Sequence, residues 1–172
     1  MMSLGNVFAV AAVAFAVAAC GSPHPLSAPA SAAQARGFHS GGCNRVTDDD
    51  INRATRSGLF TRVVVSDAGC FWQENTMIGS FGAGMGISTW WYRGSDMETE
   101  RMLETRAGRR LTELSIDGNK GFEASGANAC SVYVAKDSDV ITWSIRSLNT
   151  GSLRDLCTII RQLAQLTQDR VN

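Results

Sequence analysis

Four cysteines, Cys43, Cys70, Cys130 and Cys157, are the residues of this chain whose type and spacing most plainly carry chemistry. An even set in an exported domain pairs into disulfides by default. Structural zinc wants ligands in close pairs such as C-x-x-C, and from Cys43 onward the chain has neither such a pair nor a histidine, so no metal is expected. Three pairings are open. Cys43 with Cys70 and Cys130 with Cys157 is favoured, because both intervals are equal and each bridge would join a helix to a nearby strand. By loop entropy each bridge stabilises the fold by about 3 to 4 kcal/mol.

Catalytic arrangements fare worse. The only histidines, His24 and His39, precede Cys43, so the commonest general base is missing from the folded unit and no Ser-His-Asp or Cys-His set is expected there. Paired carboxylates can hydrolyse glycans when held about 5 to 10 Å apart. Most acids here have structural roles instead: Asp48, Asp49 and Asp50 fall in a first helical turn, and Glu98 and Asp155 stand at capping spacing. Glu74 and Asp67 are left without a role, and no catalytic residue or cofactor is assigned. The Gly79 to Gly86 run is not a phosphate loop, because a strand follows it and no Gly-Lys-Ser/Thr is present. It reads as a loop whose Phe81 and Met85 form a lip over an apolar groove.

Trp90, Trp91 and Tyr92 are adjacent in a strand-like segment, so alternation sends Trp91 to one face and Trp90 with Tyr92 to the other. Trp91 is expected in the core with Trp143 and Ile141. Trp90, Tyr92 and Arg93 are the candidate binding residues. Met97 and Met102 are expected to pack a helix onto the sheet.

The first twenty residues supply the address. An apolar run from Val7 to Ala19 ends at Ala18-Ala19-Cys20 and passes into Gly21-Ser22-Pro23. It is shorter than the roughly 20 residues of a spanning helix and reads as an export signal over residues 1–19, cleaved to leave Cys20 for diacylglyceryl attachment. Two acyl chains anchor stably where one is marginal. No Lys or Arg precedes Cys20, a departure from the usual basic n-region for which an upstream start codon is the preferred explanation. Residues 20–42 hold all three prolines and form a flexible tether with a reach on the order of 25 Å. The folded unit is residues 43–172. It contains all sixteen acids and every basic residue except Arg36, so charge is near balance, and nucleic acid and anionic lipid are poor candidates as partners. The arginine bias suits a GC-rich actinobacterial genome.

Three helices and about seven strands must position these residues. Capping boxes are expected at Thr47/Asp50, Ser95/Glu98 and Ser152/Asp155, opening helices at Asp48–Ser57 (stopped by Gly58), at Asp96–Ala107 (stopped by Gly108) and along the stripe Leu153, Leu156, Cys157, Ile160, Leu163, Ala164 and Thr167. Period-two alternation marks strands around Cys130–Val134 and Ile141–Arg146. Others are expected at Arg62–Ser66, Cys70–Glu74, Ile87–Arg93, Thr112–Ile116 and Gly121–Ala124, with Asp117 to Gly121 as a hairpin turn. The pattern predicts a single α+β domain, a mainly antiparallel sheet covered on one face by about three helices and stapled by disulfides.

The chain resembles the mycobacterial LprB/LprC-like lipoproteins, LprC more closely, an actinobacterial family of unknown function. The likeness rests on the signal ending at Cys20, on Cys43, on Gly69-Cys70-Phe71-Trp72 and on Trp91-Tyr92-Arg93-Gly94-Ser95 with Glu100-Arg101. Ile116-Asp117-Gly118, Gly121-Phe122, Cys130, Trp143 and Cys157 complete it. The resemblance implies a lipoprotein anchored at the outer leaflet of the cell membrane with four paired cysteines, and transfers no activity. The reading that follows is a non-catalytic, membrane-tethered binding or adaptor module offering a sheet face or groove to an envelope lipid, a glycan or a protein such as a transport complex. The alternatives are a carboxylate-based hydrolase of envelope polymer and a purely structural scaffold. Convergence of Glu74 and Asp67 in a pocket favours the hydrolase, and an apolar pocket favours binding.

Overall fold

The computed structural model describes residues 42–57, 60–66, 68–75, 84–148 and 155–171. The signal run, Cys20 and the tether through residue 41 lie outside the described residues, as do Gly58, Asp67, Phe81, Ser152 and Leu153. A short turn at Cys43–Arg45 leads into α1 (Asp48–Thr55), β1 (Phe60–Val65), β2 (Gly69–Glu74) and β3 (Met85–Tyr92). There follow α2 (Met97–Arg106), β4 (Arg110–Ile116), β5 (Asn119–Ser125), β6 (Ala129–Lys136), β7 (Asp139–Ser147) and α3 (Leu156–Val171). The strands form one sheet in the order β1-β2-β3-β7-β6-β5-β4, and every neighbouring pair is antiparallel. The α+β class is as predicted.

Local rules account for most boundaries. Thr47 and Asp50 form the expected reciprocal capping box, but α1 ends on Arg56 in the left-handed region rather than at Gly58. α2 begins one residue later than its box implied: the Asp96 carboxylate accepts from Thr99 N–H at 2.7 Å, while the Ser95 hydroxyl donates instead to Glu100. At α3 the Asp155 carboxylate itself caps, accepting from the N–H groups of Cys157 and Thr158. Aspartate outcompetes the hydroxyl at Ser95 because a carboxylate accepts more strongly from the positive end of the helix. The β4–β5 turn is the two-residue Asp117-Gly118, both at positive φ (51° and 77°), the conformation that matches strand twist.

The core lies under α1 and α3. Cys70, Trp72, Trp91, Cys130, Val132, Trp143 and Ile145 share this face and are buried. Trp72 and Trp143 stack at 5.8 Å, and Trp91 lies opposite Ile141 as expected. α3 lays Leu156, Ile160, Leu163 and Ala164 on them, and the Trp143 indole N–H donates to Thr167 Oγ1 at 2.8 Å. Both predicted disulfides are formed, Cys43–Cys70 with Cα atoms 5.4 Å apart and Cys130–Cys157 at 5.3 Å. Cys43 sits in the entry turn rather than in a helix. Cys43, Asn44 and Arg45 all have positive φ, a strained left-handed run. The bridge to Cys70, the Asn44 amide donating to Thr89 Oγ1 and Arg170 donating to the Arg45 carbonyl hold it in place.

One placement corrects the expected single-sided cover. α2 lies on the opposite face, over the second cluster of Phe122, Ala124, Tyr133 and Val140. Its only buried residue is Glu100, so it has no apolar stripe, and polar contacts dock it. The Tyr133 hydroxyl donates to Glu104 at 2.5 Å, Arg101 lies 4.6 Å above the Phe122 ring, and the same guanidinium pairs with Glu113. Met97 packs against that cluster as predicted, whereas Met102 points to solvent, 43% exposed.

Candidate functional site

α2 covers only the β4 end of its face, which leaves a groove of ≈400 Å³ over β2, β3, β7 and β6. Its floor follows from residue size and register. Ser88, Ser144 and Ser131 stand side by side on β3, β7 and β6, and Gly86, Arg146 and Ala129 form the next row on the same three strands. Serine, glycine and alanine keep this floor low. Phe71 forms one wall, its ring so close over Gly86 that a Cβ there would come within 2.9 Å of it. Leu148 completes an apolar rim, while Met85, at the groove's border, packs its side chain with the core cluster of Ile87 and Trp91.

Hydrogen bonding links the floor to Arg109. The Ser131 hydroxyl accepts from Arg109 Nη2 at 2.9 Å and shares a 2.8 Å hydrogen bond with the Ser144 hydroxyl, so one proton of this hydroxyl pair is left to donate. Arg109 also donates to the Ala124 carbonyl and lies 3.5 Å from Glu104, which compensates its charge. Glu104 in turn holds the Tyr133 hydroxyl, and burial together with that carboxylate pushes the phenol well above its usual titration range. A continuous polar chain thus runs from α2 to the groove floor. Arg146 is different: it is exposed on the groove row between Gly86 and Ala129, and no carboxylate pairs with it among the described residues. Among the described residues no acid lines the groove.

The sequence-predicted residues lie elsewhere. Trp90 and Tyr92 do share the face opposite Trp91, but Trp90 folds its ring over Gly69, where a Cβ would strike it, and does not line the groove. Tyr92 packs beside Phe122 and Met97 under α2, where burial first and then Glu100 and Glu104 raise its pKa. With Arg93, Ser95 and Glu100 it lines a separate open pocket of ≈500 Å³. Tyr92 and Arg93 are therefore brought together, and Trp90 is not with them. Glu74 is buried, its carboxylate accepting from Met85 N–H at 3.1 Å, and alternation with Cys70 and Trp72 turns it from the groove. Its proposed partner Asp67 lies outside the described residues. Glu123, Cys130 and Cys157 approach one another closely, but the two sulfurs are bonded to each other and are no metal ligands. Sequence reasoning missed the serine row and both groove arginines. Ser144 and Arg146 were visible as the polar members of the Ile141–Arg146 alternation, but their neighbours depend on cross-strand register.

Comparison with known proteins agrees with the resemblance on its LprB side. The protein named "Putative lipoprotein LprB" of Mycobacterium tuberculosis (strain H37Rv) is 30% identical over 92% of this chain and 90% of its own length. Its namesake in Mycobacterium bovis is 29% identical over the same shares, and that of Mycobacterium leprae is 26% identical over 72% of this chain. No solved structure matches the chain. With residues 15–170 matching the family described as protein of unknown function DUF3558, the chain belongs to that family.

Proposed function

We propose that this protein is a membrane-tethered, non-catalytic binding module of the cell envelope, anchored through acylated Cys20 at the outer leaflet and taking its ligand into the groove over Ser88, Ser144 and Ser131. The lipoprotein names of its relatives support the tether. The groove carries the binding reading: an apolar rim of Phe71 and Leu148 above a few converging hydroxyls and guanidinium groups is the composition of small-ligand sites, and its volume lies within their usual range. Glu74, the described member of the carboxylate pair a hydrolase would need, is engaged by backbone on the other side of the sheet. A transport complex or other protein partner is a second role the tether permits, and the groove favours the small ligand.

Native mass spectrometry of the full-length lipoprotein extracted from its own membranes tests the reading. A co-purifying mass is expected with the natural chain and is expected to be lost from Ser88→Leu, which fills the floor while leaving the core face untouched. Absence of any bound mass, or equal occupancy in Ser88→Leu, sinks it.

A further inference from the structure

We infer that the groove ligand is a single-chain amphiphile with a monoanionic carboxylate head, held by Arg146 and the Ser131–Ser144 hydroxyl pair with its chain along Phe71 and Leu148. The inference rests on the binding reading above and specifies its ligand class. Three observations lead to it. First, the charged groups facing the groove, Arg109 and Arg146, can only donate, and the serine hydroxyls of the floor can donate beside them. A ligand that satisfies Arg146 must then bring acceptors. Second, the charge balance is uneven. Arg109 is offset by Glu104, whereas among the described residues Arg146 meets no carboxylate and no acid lines the groove, which leaves one positive charge without a partner there. One guanidinium matches one carboxylate, and that pair can form two parallel hydrogen bonds. Third, the cavity of ≈400 Å³ lies at the low end for ligand sites, with room for a head and part of one chain rather than for a multi-chain lipid. The balanced charge of the whole domain argues against docking on an anionic surface. The local imbalance at Arg146 selects a single anionic molecule.

Photo-crosslinking of the full-length lipoprotein in zwitterionic phosphatidylcholine vesicles provides the test, with a diazirine-bearing dodecanoic acid and the matching dodecanol as probes and peptide mapping as the readout. The acid is expected to label peptides from β3 or β7 at least tenfold more efficiently than the alcohol. Arg146→Gln, an exposed substitution that should leave the melting temperature unchanged, is expected to erase most of that difference. Equal labelling of the groove by acid and alcohol, or a preference that survives Arg146→Gln, overturns the anionic-head inference and leaves the binding reading standing. If neither probe labels the groove, the ligand class is wrong, and the native mass measurement then decides separately whether the groove holds any ligand.

Discussion

The Asp50 carboxylate in the first turn of α1 accepts from both terminal nitrogens of Arg170, at 2.5 and 3.2 Å, near the end of α3 and 120 residues away. The same carboxylate completes the Thr47 capping box and meets Arg53. It thus ties the helix that opens the domain to the helix that closes it. Arg170 above all, then the Thr47 bonds, hold the Asp50 carboxyl well below the usual aspartate range despite the opposing effect of burial.

Asp50→Asn is expected to destabilise the fold by about 2 kcal/mol at pH 7, since hydrogen bonds to a charged group are worth more than neutral ones. Because the folded carboxyl titrates below the unfolded one, its contribution is complete above about pH 4 and is lost as the pH falls further. Urea titrations at pH 7 and pH 3 should therefore show the gap between wild type and Asp50→Asn narrowing in acid. A gap that is constant with pH would assign the effect to packing.

Thr167→Val removes the acceptor of the buried Trp143 indole N–H. An orphaned buried donor costs about 1 to 3 kcal/mol, although valine fills the same space. Chemical denaturation measures the loss, and a neutral result would mean that the indole finds another acceptor.

Gly69→Ala pushes a methyl group into the Trp90 ring and the Thr89 carbonyl. Overpacking of this kind costs about 1 to 3 kcal/mol. The Trp90 side chain must move, so a changed tryptophan emission spectrum should accompany the lower unfolding midpoint.

The paired replacement Cys130→Ala with Cys157→Ala opens the link between β6 and α3. It is expected to lower stability by about 3 to 4 kcal/mol under oxidising conditions and to have no further effect once wild type is reduced at that bridge. Thermal scans with and without reductant distinguish the two states.

Much of the fold was legible in local pattern. Alternation at Ile141, Trp143 and Ile145 identified β7 and its buried face, the helical spacing of Leu156, Ile160 and Leu163 identified α3, and Thr47 with Asp50 marked the start of α1. Those features are set by residues within a few positions of one another, where steric and hydrogen-bonding rules act along the chain. α2 was legible as a helix but not in its placement. Its sequence has no apolar stripe to declare a side, and what chose the face was the second apolar cluster of Phe122, Tyr133 and Val140, assembled from three strands and buried beneath α2.

The sequence by itself determined that the four cysteines would pair and the direction of each aromatic in the Trp90-Trp91-Tyr92 run, because the even cysteine count is composition and strand alternation is a property of neighbours along the chain; which cysteines meet was fixed by the fold. Only the tertiary structure decided that Trp90 lies over Gly69, away from the groove, and that Ser88, Ser144 and Ser131 form one row between the Phe71 wall and the row that carries Arg146. That row is a matter of register between strands far apart in sequence, and register is settled by the packing of the whole sheet.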